Sequence, residues 1–246
     1  MAAVVLRRGG SLRVSRRAFL SCALIGCLLP GSNAVLFFAE RNTPIGLASL
    51  LIASVPLWVV VMRLAGRERL PTTALVGVGV GFAGVAVLIQ PAGGATIGGI
   101  GLCVLSAVMW ALGSVLSARL EMPSDAFAAT TFEMLSGGIV LLPFGLLSVG
   151  SVSPSTSSML AWLYLVTIGS VVGFTAYTWL LAHAPLSTVS TYAYVNPIVA
   201  ILLGVLFRHE HLTWRILIGA AVVVAAVAAV VRRDPPAATQ LEEGVR

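Results

Sequence analysis

From Ala18 onward the chain is a succession of uncharged stretches about 20 residues long or longer, separated by short polar turns. At about 1.5 Å of rise per residue, a helix of that length crosses a hydrocarbon core roughly 30 Å thick. Charged residues make up 10% of the chain, against about 25% in a soluble domain, and mean hydropathy is +1.01. The expected fold class is therefore all-α integral membrane, a polytopic helical bundle of about eight transmembrane helices. Turn signals at Asn42-Thr43-Pro44, Pro91-Ala92-Gly93-Gly94, Met122-Pro123-Ser124-Asp125, 151–158 and Ala184-Pro185 place the spans near 18–39, 44–64, 72–90, 97–118, 126–148, 159–181, 187–207 and 213–231.

All fifteen basic residues are arginine, and the net charge is +6. No basic stripe interleaved with aromatics accompanies that charge, so nucleic acid is not an expected partner. The arginines fall in loops. Eight spans with both termini in the cytoplasm leave only Arg41, Arg208 and Arg215 outside, which the positive-inside rule favours over the reverse orientation. Residues 1–17 form an Arg-rich cytoplasmic flank and 232–246 a polar tail read as disordered. Ser15-Arg16-Arg17-Ala18-Phe19-Leu20 also resembles a twin-arginine export signal, but that pathway carries folded soluble cargo and seven more spans follow. Cys22, Cys27 and Cys103 are isolated thiols in apolar segments, with neither disulfide nor metal spacing.

An internal repeat orders the spans. Pro44 and Pro56 are followed by Glu68 and Gly77; Pro185 and Pro197 are followed by Glu210 and Gly219 at nearly the same spacing. The two copies begin in spans two and seven, which run in opposite directions, so the repeat has inverted topology. Inverted repeats with interrupted helices point to a secondary transporter working by alternating access. Pro56 and Pro197 cannot donate to the preceding turn and free carbonyls near Ile52 and Ala193 in mid-span, which makes them candidate hinges as well as packing kinks.

The residues resemble the drug/metabolite transporter superfamily, EamA type, over nearly the whole apolar region. The resemblance is carried by Ala39-Glu40-Arg41-Asn42-Thr43-Pro44-Ile45-Gly46, by GVGVGFAG at 77–84, and by Ser106-Ala107-Val108-Met109-Trp110-Ala111-Leu112-Gly113-Ser114. Phe132-Glu133-Met134-Leu135-Ser136-Gly137-Gly138 and Tyr192-Ala193-Tyr194-Val195-Asn196-Pro197 complete it and are most similar to the YedA-like branch. The resemblance implies ten spans in two five-span repeats. Here 97–231 reads as a complete second repeat and 18–90 as a three-span first repeat, so the counterparts of two N-terminal spans are expected to be missing. It also implies a small-molecule substrate, a metabolite or drug, moved outward across the bacterial cytoplasmic membrane, with the bilayer as the other partner.

Glu133 stands about seven residues into span five, roughly 10 Å deep, where a carboxylate costs a few kcal/mol unless paired, neutralised or wet. It either binds a cationic substrate or exchanges a proton, or it is a carboxyl hydrogen-bonded to a neighbouring helix. Thr188, Tyr192 and Asn196 share one face of span seven at i, i+4, i+8. Ser106, Trp110, Gly113 and Ser117 make a similar stripe on span four. Trp110, Tyr177, Trp179, Tyr192 and Tyr194 could stack on a flat or cationic solute, or simply belong to interface belts or the core. Asn33 joins the candidate cavity because span one is expected to break at Pro30-Gly31-Ser32-Asn33. Glu40 is expected to pair with Arg41, and Glu68, Glu210 and His183 are assigned to structure. Gly77, Gly81, Gly84 and Gly219 are helix-packing devices, within the bundle or toward a homodimer or partner subunit.

The sequence carries no ATP-binding motif, no cofactor motif and no metal-ligand spacing. An enzyme is not expected: Ser114 and Ser170 lack a G-x-S-x-G context, and no nucleophile–base pair lies at membrane depth. The remaining alternative is a non-transporting or accessory membrane protein, a truncated remnant of a transporter.

Overall fold

In a computed structural model the described residues are 2–7, 12–68, 70, 72–88, 95–148, 155–184, 189, 196, 199, 201–203, 205–207 and 214–231. Among them the ordered elements are all helical. They are α1 (Ala2–Arg7), α2 (Arg16–Ala39), α3 (Ile45–Ile52), α4 (Val55–Ala65), α5 (Thr72–Leu88), α6 (Ile97–Ser117) and α7 (Ala126–Ser148). After them come α8 (Thr156–Tyr164), a π-helical stretch (Leu165–Phe174), α9 (Thr175–His183) and α10 (Trp214–Val231).

Side-chain caps set several of the starts. Ser15 Oγ accepts the Ala18 amide at 3.0 Å, Thr96 Oγ1 that of Gly99 at 3.0 Å, Asp125 Oδ1 that of Phe127 at 2.9 Å, and Ser155 Oγ that of Ser158 at 3.2 Å. Each satisfies an amide that has no partner within its own helix. The close of α4 is a Schellman turn: Glu68 N–H bonds Arg63 O at 3.1 Å and Arg67 N–H bonds Leu64 O at 2.9 Å. Arg67 takes the left-handed position usually given to glycine, at φ 61°. An ion pair from Arg63 Nε to Glu68 Oε2 at 2.7 Å ties the two ends of that turn.

Five segments are long and apolar enough to cross a membrane: Arg16–Ala39, Ile45–Ala65, Ile97–Ser117, Ala126–Pro143 and Thr156–His183. With α5 and α10 they lie where spans one to six and eight are expected. The expected seventh span, 187–207, falls mostly outside the described residues. The chain is an all-α, multi-pass membrane protein.

By internal contacts it divides into two units, one of Met1–Gly31 with Leu116–Ala184, the other of Ser32–Val115 with Pro185–Arg246. Each unit thus draws residues from both repeat stretches, 18–90 and 97–231. In the first, α2 and α7 meet where neither has a side chain. A Cβ on Gly137 would come within 2.5 Å of the Gly26 carbonyl, and one on Gly26 would collide with Glu133 O and Ser136 Oγ. The expected break at Pro30 does not occur: α2 runs unbroken through it. Pro30 removes only the amide that would have reached Gly26 O, and that carbonyl lies against the bare Gly137 backbone instead.

In the second unit the interrupted span α3–α4 is the most enclosed of the five. Leu47, Leu50, Leu51, Leu57 and Val60 pack with Ala39, Ile100 and Cys103. The interruption is at Ala53-Ser54, and Pro56 stands in the first turn of α4, where its missing amide costs least. Ser54 Oγ, itself buried, donates to Leu51 O at 2.6 Å, beside the Ser54 amide at 3.1 Å. Helix α5 packs along α10. Gly77, Gly81, Gly84 and Gly219 are all buried there, beside an apolar cleft of about 210 Å³ lined by Val80, Ala83, Gly84, Ile218, Gly219 and Val222.

Candidate functional site: a buried carboxyl between helices

Helix α7 turns Ala129, Glu133 and Gly137 to the interior at i, i+4, i+8, with Thr130 beside them. Glu133 is 0% exposed. On one side is α2, where Gly26 abuts the Glu133 backbone and Cys22 offers its carbonyl to Ser136 Oγ at 3.4 Å. On another is α9, whose buried face is Thr175, Thr178 and Leu181. Thr178 Oγ1 donates to Glu133 Oε2 at 3.2 Å. Glu133 Oε1 is buried with no hydrogen-bond partner, and so is Thr175 Oγ1. An ionised carboxylate half-satisfied in such surroundings is unfavourable unless something offsets its charge.

Several other membrane-segment hydroxyls, unlike that of Thr175, fold back on their own helix. Ser114 bonds Trp110 O at 2.8 Å, Thr130 bonds Ala126 O at 2.7 Å, Thr131 bonds Phe127 O at 2.6 Å and Ser136 bonds Phe132 O at 2.6 Å. Thr175 is the first residue after the π-helical stretch. Its amide bonds Val172 O.

The other candidates are placed as follows. In the first unit Tyr177 is half-buried on α9. Trp179 is exposed and stacks on His183 with ring centroids 4.4 Å apart and planes 13° apart, while His183 Nδ1 lies 2.8 Å from Trp179 O. In the second unit Asn33 is exposed on α2, and Trp110 packs half-buried on Val55, Val59, Ala107, Ala111 and Val115 together with Trp58. Ser106 Oγ donates to Ser32 O at 2.8 Å, both residues buried. Asn196 is helical and exposed. Tyr192, Tyr194 and Pro197 lie outside the described residues, as do Glu210 and Thr188. Arg41 does not pair with Glu40 as expected. Its guanidinium sits over Phe37 and Phe38 at 5.4 and 5.3 Å, and partial burial raises the Glu40 carboxyl above its ordinary range. Among the described residues no group of three or more His, Cys, Asp or Glu could hold a metal ion.

Sequence reasoning missed Thr175 and Thr178, whose signal is two threonines three apart on an uncharged span. It also missed Trp58, whose indole N–H is buried without a partner beside the helix interruption, the ring set edge-on to Phe82 at 4.8 Å.

Residues 97–232 match the EamA-like transporter family. The chain belongs to that family. It is 35% identical to an uncharacterised inner membrane transporter of Escherichia coli K12, YedA, over 98% of this chain and 82% of that protein. It is 28% identical to the uncharacterised transporter YvbV of Bacillus subtilis, over 81% of this chain and 68% of the relative. A WAT1-related chloroplastic protein of Arabidopsis thaliana is also 28% identical, over 90% of this chain and 57% of its own length. A crystal structure of 24% identity superposes with a TM-score of 0.67 over 94% of this chain and 83% of its own, so the fold is shared. Membership makes the chain a membrane transporter in general terms.

Proposed function

We propose that this EamA-family transporter moves a small metabolite or drug outward across the cytoplasmic membrane by alternating access, driven by proton exchange at Glu133. The observation that carries the reading is the fully buried carboxyl with one oxygen held by Thr178 and the other unpartnered. A proton is what such an enclosed group exchanges most cheaply, since protonation removes the charge that hydrocarbon penalises. The inner ends of the spans carry most of the arginines, which supports cytoplasmic termini. A reporter fused after Val231 that works only in the cytoplasm should be active, and an inactive one would reverse the orientation.

Glu133→Gln fixes the site in a neutral form of nearly the same shape. In proteoliposomes screened with labelled metabolites and drugs, it should lower pH-gradient-driven flux roughly tenfold or more while solute-for-solute exchange persists. Wild-type-like gradient-driven flux in Glu133→Gln would remove Glu133 from the coupling.

A further inference from the structure

On the packed helices α7 and α9 two buried oxygens lack partners, Glu133 Oε1 and Thr175 Oγ1, and a third, Thr178 Oγ1, touches the Glu133 carboxyl. We propose that these three groups form a site for a dehydrated sodium ion, which takes the place of the proton on Glu133. The inference rests on the reading of Glu133 as the coupling carboxyl and deepens it by naming a second coupling ion.

Thr175 and Thr178 stand three apart on the buried face of α9, where side chains at that spacing lie about 5–6 Å apart. Sodium binds hydroxyl and carboxylate oxygens without needing nitrogen or sulfur, which fits the donor set. One carboxylate balances one positive charge, so a monovalent ion leaves no net charge in hydrocarbon, whereas a divalent ion would leave one. The enclosure of all three groups also disfavours an organic cation: Glu133 is 0%, Thr178 5% and Thr175 7% exposed.

From α2 the titratable neighbour is Cys22, a thiol that is 0% exposed; α1 turns Val5 inward and leaves Arg7 exposed; the buried face of α9 carries no titratable group. Nothing cationic among these described groups competes with sodium for the carboxylate.

The test is thermal unfolding of the purified protein in detergent, in sodium chloride against choline chloride at equal ionic strength. Sodium at about 100 mM should raise the wild-type Tm by about 3 °C or more, because it binds the folded state alone. Thr175→Val and Glu133→Gln should lose that rise, and Thr175→Ser, which keeps the hydroxyl, should retain it. An equal Tm in the two salts, or a sodium effect that survives Thr175→Val, overturns the sodium site. If Thr175→Val does not fold, a Thr175→Ser protein with no sodium response overturns it equally. Proton-driven flux in sodium-free buffer separates this result from the coupling reading: flux lost in Glu133→Gln there upholds Glu133 whatever sodium does.

Discussion

Gly26 and Gly137 hold the backbones of α2 and α7 close enough to fix where the Glu133 side chain lies. Adding one methyl at Gly137 drives a Cβ into the Gly26 carbonyl at 2.5 Å and against Pro30 Cβ at 3.0 Å, whereas at the neighbouring Gly138 nothing lies within 4 Å. Gly137→Ala should therefore cost about 1–3 kcal/mol through overpacking, and Gly138→Ala close to nothing. Thermal unfolding of the two variants in detergent checks this, and equal melting temperatures would contradict the close approach. At this scale Glu133 was legible from sequence because a carboxylate in the middle of an apolar span has few benign explanations. Its partners were not. Thr175 and Thr178 look like ordinary helical threonines until α9 is seen packed on α7 with Thr178 on the Glu133 carboxyl. Trp110 was legible as a cavity, belt or core aromatic, and its packing on Val55 and Val59 depends on a helix about 50 residues earlier in the chain.

The elements show which proline matters to the backbone. Pro30 lies inside an unbroken α2, Pro143 inside α7, and Pro56 opens a second half-helix after a two-residue interruption. What separates them is the local alternative. Ser54 ends α3 by placing both its hydroxyl and its amide on Leu51 O, which lets α4 start afresh. As a hinge, Pro56 should affect rate more than stability. Pro56→Ala restores an amide donor near Ile52 and should slow solute flux roughly threefold or more, with little change in Tm because proline is well tolerated in a first helical turn. Unchanged flux would make the interruption a packing feature. The spans that fall on described residues were readable to within a few residues, because uncharged length and turn chemistry determine them and capping residues such as Thr96 and Asp125 mark their starts. The expected break at Pro30 failed because the cost of a missing hydrogen bond depends on the neighbouring helix, which the local sequence does not contain.

The whole molecule joins these scales. Helices from both repeat stretches enter each of the two units. EamA-family membership accounts for the all-helical, multi-pass architecture, while the solute and the driving ion depend on the site rather than on the fold. The most direct measurement is made in everted membrane vesicles energised to an acidic interior, with a pH-sensitive dye reporting the gradient as solutes are added one at a time. A solute of this protein should collapse part of the gradient in vesicles carrying the wild-type chain and leave it intact with Glu133→Gln at matched protein levels. A solute that is carried by the wild type without any change in the gradient, or that collapses it equally with Glu133→Gln, would contradict the account.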